Sequence, residues 1–118
     1  MRGDGWTLEE ALTFVRELAA VIEPAGYYPG LTGSVVFARK GRIYKRRSSS
    51  DIDVILYPAS TAVVDEEGLK GALRSFGLVL AVPRERVTAK WRKLGSQDDK
   101  HVEVWDYRGR KVDFFFLA

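Results

Sequence analysis

The chain has 118 residues and a mass of 13.3 kDa, the size of one domain, expected to span residues 1–118, and too short for two. Hydrophobic residues make up 46% and charged residues 30%, too apolar for a disordered tail, and a chain of this length buries about two-thirds of its unfolded surface without staples. Cysteine is absent and His101 is the single histidine, which excludes disulfide frameworks, thiolate zinc sites, thiol catalysis and histidine-rich metal centres, while 19 Lys+Arg against 16 Asp+Glu leave +3, a hint of an anionic partner.

Thr7 and Glu10 form a capping box, and Leu8, Ala11, Leu12, Val15, Leu18, Ala19 and Ile22 recur at helical spacing until Pro24 and Gly26 break the pattern. Tyr27 to Leu31 then leads into Thr32-Gly33-Ser34, and Ser34 suits the start of a short helix over Val35 to Lys40. Between Arg39 and Arg47 six cations (Arg39, Lys40, Arg42, Lys45, Arg46 and Arg47) occur with no carboxylate among them. Such a run is either a solvated surface loop or a contact for triphosphate or nucleic acid.

Asp51 to Tyr57 alternates as a strand does, with Ile52, Val54 and Leu56 on one side and Asp51 and Asp53 on the other, until Pro58 stops it. Asp65 caps a second helix carrying Leu69, Ala72, Leu73 and Phe76 on one face, closed by Gly77. Leu78 to Val82 reads as a short strand, and Val87 to Leu94 leans towards strand although its spacing also fits a helix. His101 to Asp106 and Lys111 to Leu117, rich in β-branched and aromatic residues, flank Tyr107-Arg108-Gly109-Arg110 as a hairpin. The class is therefore α+β, a mixed β-sheet with helices packed on one face. No run approaches the ~20 apolar residues of a membrane span and no cleavable leader is recognisable, so the chain reads as cytoplasmic with no membrane partner.

Three acids carry the chemistry. Residues two apart on a strand share a face, so Asp51 and Asp53 place two carboxylates ~7 Å apart at the Cα level. Asp113 has the same phase, because Val112, Phe114 and Phe116 would join Ile52, Val54 and Leu56 against the helices. Converging carboxylates repel unless cations lie between them, and hard oxygen donors favour Mg²⁺ or Mn²⁺. Gly33-Ser34 offers the complementary half: a helix start presents free N–H groups to a phosphate, the glycine permits close approach and the serine hydroxyl adds a donor. Arg47 lies just ahead of the acidic strand in sequence, where a guanidinium can hold phosphate oxygens.

Each feature also has a plainer reading. Alternate acids are common on exposed strands, Gly33 suits any turn and Ser34 any helix cap. Asp106 rivals Asp113 as third acid but sits beside the hairpin turn, where a turn role fits it better. His101 suits an ordinary strand position, and Trp91 and Trp105 suit the core or a sheet face better than base stacking.

Taken together, Gly33-Ser34, then Arg47-Ser48-Ser49-Ser50-Asp51-Ile52-Asp53-Val54-Ile55-Leu56, then Val112-Asp113-Phe114-Phe115-Phe116 resemble the DNA polymerase β-type nucleotidyltransferase superfamily, and most of all its minimal and abortive-infection-like members. The resemblance covers residues 31 to 117. It implies the nucleotidyltransferase fold and Mg²⁺-dependent transfer of a nucleoside monophosphate from an NTP such as ATP to an acceptor hydroxyl on RNA, protein or a small molecule. Asp51, Asp53 and Asp113 would be the catalytic metal ligands, with Asp113 activating the hydroxyl, and Gly33, Ser34, Arg47 and Ser49 would contact the nucleotide's phosphates. One departure is the spacer: residues 35–50 exceed the family's usual length, and the surplus is the basic run. The chain carries no acceptor-binding module, so a homodimer or a small helical partner protein is expected to complete it. The alternatives are a non-catalytic or partner-regulated module of a two-protein, toxin–antitoxin-like system and a basic RNA-binding module with incidental acids.

Overall fold

The computed structural model describes residues 5–32, 51–59, 65–83 and 101–116. Helix α1 (Leu8–Ile22) begins at the capping box, where the Glu10 N–H donates to Thr7 Oγ1 at 3.2 Å and the Thr7 N–H donates to Glu10 Oε1 at 3.0 Å. Two donors that the helix start leaves without backbone partners are thereby satisfied. The buried stripe is Ala11, Phe14, Leu18 and Ile22. Phe14, outside the apolar set expected from the spacing, takes its centre, while Leu12 and Ala19 are only half-buried. Its ring explains the rotation, meeting Trp6 at 5.1 Å, Tyr107 at 4.8 Å and Phe76 at 5.7 Å between centroids.

A one-turn 3-10 helix (Glu23–Ala25) with Pro24 inside it and left-handed Gly26 (φ 87°) after it turns the chain into strand β1 (Tyr27–Thr32). The connection expected from Tyr27 to Leu31 is thus a strand. Proline is tolerated there because β1 is an edge strand among the described residues. Gly30 lies beneath the Tyr57 ring, where an added Cβ would approach Tyr57 Cε2 to 2.6 Å.

Strand β2 (Asp51–Pro58) follows the expected alternation, Ile52, Val54 and Leu56 being buried. Helix α2 (Glu66–Ser75) is capped by Asp65, whose Oδ1 accepts from the Gly68 N–H at 2.9 Å. It buries Leu69 and Leu73, and left-handed Gly77 (φ 107°) follows it. Strands β3 (Leu78–Val82), β4 (His101–Tyr107) and β5 (Arg110–Phe116) complete the sheet. The β4–β5 turn has two residues, Arg108 (φ 53°) and Gly109 (φ 84°), the left-handed pair of a type I′ hairpin. Asp106 Oδ2 accepts from the Gly109 N–H at 3.1 Å, so Asp106 is a turn residue.

The strand order is β1-β2-β5-β4-β3. β2 and β5 are parallel, every other neighbouring pair is antiparallel, and the sheet is mixed. Both helices pack on one face, where Trp6, Phe14, Leu18, Leu69 and Leu73 meet Val54, Leu56, Trp105, Val112 and Phe114 in one buried cluster. Burying each of the larger side chains contributes about 1.5–3 kcal/mol. Trp6 ties the start of the chain to the hairpin, its Nε1 donating to the Lys111 carbonyl at 3.0 Å while the Arg110 guanidinium lies 3.9 Å from its ring centroid. Among the described residues no helix is long and apolar enough to cross a membrane. The helix expected from Ser34, the segment Val87 to Leu94 and Trp91 lie outside the described residues.

Candidate functional site

Alternation places the three acids on the face away from the helices. Ile52 and Val54 are buried in the core, so Asp51 and Asp53 point the other way, and the same phase holds for Asp113 between Val112 and Phe114. The parallel pairing brings them together: Asp53 stands opposite Asp113 in register, on backbones about 4.8 Å apart. Thr32 flanks Asp53 on β1 and Val104 flanks Asp113 on β4. β1 ends at Thr32, the residue before Gly33 in sequence, and β2 begins at Asp51. All three aspartates are half-buried.

The electrostatics follow from that crowding. Desolvation, then repulsion from Asp51 and Asp53, pushes the Asp113 carboxyl up to about 7, and its hydrogen bonds to those two neighbours act in the same direction. In those bonds the protonated Asp113 donates and its neighbours' carboxylate oxygens accept. Asp53 is raised too, by desolvation and by Asp51, with the hydrogen bond from Asp113 opposing. Among the described residues no lysine or arginine lies within ion-pair distance of these carboxylates.

Three hard oxygen donors on neighbouring strands have the chemistry of a divalent-cation site. As the side chains stand, however, they are turned towards one another. Among the described residues no group of three His, Cys, Asp or Glu side chains is arranged to hold a metal ion. Release of the Asp113 proton would exchange these mutual hydrogen bonds for repulsion, which a cation relieves. The nucleotide-side expectations, Gly33, Ser34, Arg47 and Ser49, lie outside the described residues together with the basic run.

Two features were not read from the sequence. Glu103, 2% exposed, is a buried carboxylate on the helix side of β4. Trp105 Nε1 donates to its Oε1 at 3.1 Å, and Lys70 Nζ lies 3.2 Å from its Oε2 and 3.8 Å from Glu66. This pair, in which Glu103 is buried and Lys70 half-buried, fastens α2 to the sheet and stands on the opposite face from the aspartates; the signal of Glu103 was the phase shared with Trp105 and Tyr107. The second is a stacked pair of tyrosines, Tyr28 and Tyr57, on the aspartate face. No protein-family model matches the chain, and no curated protein sequence matches it either.

Proposed function

We propose that this chain is a Mg²⁺-dependent nucleotidyltransferase of the kind its sequence resembles, moving a nucleoside monophosphate from an NTP to an acceptor hydroxyl. The observation that carries the reading is the in-register pair Asp53 and Asp113 on adjacent parallel strands, with Asp51 on the same face. Asp51, Asp53 and Asp113 would hold the cation, and Mn²⁺ would serve in its place. A bound divalent ion there would neutralise phosphate charge and lower the pKa of the acceptor hydroxyl.

The chain's own groups define the rest. Asp113, pushed up to about 7 by burial and by its two acidic neighbours, would give up its proton on taking the cation, and as a ligand would help to lower the pKa of the attacking hydroxyl. Asp53 and Asp51 lie beside it and accept its hydrogen bonds. Thr32 ends β1 opposite Asp53, so Gly33 and Ser34, which follow it in sequence, are the first candidates for the phosphate contacts. The acceptor would be RNA, protein or a small molecule, and a second copy or a small helical partner would add to whatever surface this chain itself offers it.

Incubating the protein with Mg²⁺ and each labelled NTP in crude lysate, then searching for labelled RNA or protein, tests the activity. Asp53→Asn should abolish labelling and weaken Mn²⁺ binding at least tenfold, about 1.4 kcal/mol. Unchanged Mn²⁺ affinity in calorimetry would remove the metal site. The mutual hydrogen bonding of the three acids favours one other reading, a partner-regulated or non-catalytic module in which the carboxylates share a proton. In that case Mn²⁺ does not bind the isolated chain, and labelling appears only with a co-purified partner or not at all.

A further inference from the structure

Tyr28 stands out on the face opposite the helices. It is 51% exposed, one of two large hydrophobic side chains so exposed among the described residues. Its ring is stacked on Tyr57 at 5.1 Å between centroids and 14° between planes. The two are cross-strand partners in register on β1 and β2, and Gly30, by lacking a Cβ, leaves the space into which the Tyr57 ring packs. The stack is therefore built by the backbone. It also shares the face of the acids: Tyr57 lies four residues beyond Asp53 on β2, about 13 Å along the strand. Between them the same alternation places half-buried Ile55 and Phe115, partners in register.

An exposed aromatic ring on a fixed neighbour is suited to stacking a planar π-system, and a chain of net charge +3 and pI near 9.3 attracts polyanions. We propose that Tyr28, backed by Tyr57, is a nucleobase platform for a single-stranded RNA acceptor whose reacting end lies at the aspartates. This rests on the nucleotidyltransferase reading for the reaction, but the platform itself is a binding site. The separation of about 13 Å is one that an oligonucleotide spans and a small acceptor does not. A ring reads the face common to all bases, so the site is tolerant of sequence.

Fluorescence anisotropy of a labelled oligoadenylate RNA tests it. The wild-type chain should bind in the micromolar range with affinity falling as salt rises, Tyr28→Ala should weaken binding about tenfold, and Tyr28→Phe and Tyr28→Trp should retain it. Circular dichroism melts of the same variants separate lost stacking from lost folding. Equal affinity of a folded Tyr28→Ala and the wild type overturns the platform, as does equal loss in Tyr28→Phe, which would assign the role to the hydroxyl. RNA binding that depends on Tyr28 without any NTP-dependent labelling leaves the platform standing and removes the nucleotidyltransferase reading. Labelling abolished by Asp53→Asn with RNA affinity indifferent to Tyr28 does the reverse.

Discussion

Adjacent residues of β5 do opposite things. Val112, Phe114 and Phe116 turn towards the helices and are buried in an apolar cluster, whereas Asp113, between them, turns to the other face and meets two more carboxylates. β2 repeats the contrast with Ile52 and Val54 against Asp51 and Asp53. One face is locally consistent and holds the fold together; the other gathers like charges that the fold tolerates without benefit. Such a conflict in an otherwise consistent structure is the place at which to look for a functional site.

The contrast breaks most severely on the helix side. Phe114→Ala removes a fully buried ring whose centroid lies 6.3 Å from that of Trp105, and should cost about 3–5 kcal/mol in urea denaturation. A loss below about 1 kcal/mol would mean that the core is not organised around this strand.

The neighbouring substitution should act in the other direction. The folded-state pKa of Asp113 is raised, to about 7, so the folded chain keeps a proton that the unfolded chain loses from about pH 4 upwards. Its contribution to stability is full below about pH 4 and is lost as pH rises through 7. Wild-type stability should therefore decline between pH 5 and 8, and Asp113→Asn should flatten that slope and stabilise the chain by on the order of 1 kcal/mol at pH 8. Urea denaturation at several pH values reads both effects, and an unchanged slope in Asp113→Asn would place the titration elsewhere. Saturating Mg²⁺ should raise the wild-type melting temperature, and Asp113→Asn should reduce that rise.

The smallest effect lies on neither face. Thr7→Ala opens the capping box that starts α1 and should cost about 1 kcal/mol. It should leave the slope between pH 5 and 8 intact, because α1 packs on the side away from the acids and Glu10, whose carboxyl the Thr7 hydrogen bonds hold below its ordinary range, titrates at lower pH. A change of slope would show that the two faces are coupled through the sheet.

Much of this contrast is legible in the sequence, because alternation along a strand is local. Ile52-Asp53-Val54 and Val112-Asp113-Phe114 each announce their two faces, and Thr7-Glu10 and Arg108-Gly109 announce a cap and a turn. What was hidden depends on partners far along the chain. β1 escaped notice because Pro29 and Gly30 are strand breakers in isolation, acceptable here only at an edge and beneath the Tyr57 ring. Phe14 took the centre of α1 because Trp6, Phe76 and Tyr107 converge on it, which helical periodicity cannot express. The direct opposition of Asp53 and Asp113 is a matter of register between distant strands, and no short-range pattern specifies it.

That register has a kinetic consequence. β5 is the last of the described strands in chain order and the middle one in space, parallel to a strand sixty positions earlier, since 113 − 53 = 60. Closing so long a loop carries an entropic cost before any pairing repays it. The β4–β5 hairpin and the caps of α1 and α2 are local and can form early, whereas insertion of β5 beside β2 is the high-contact-order step. The carboxylate cluster is created by that step, and the same pairing of the two strands closes, on the opposite face, the hydrophobic contacts that hold the like charges together.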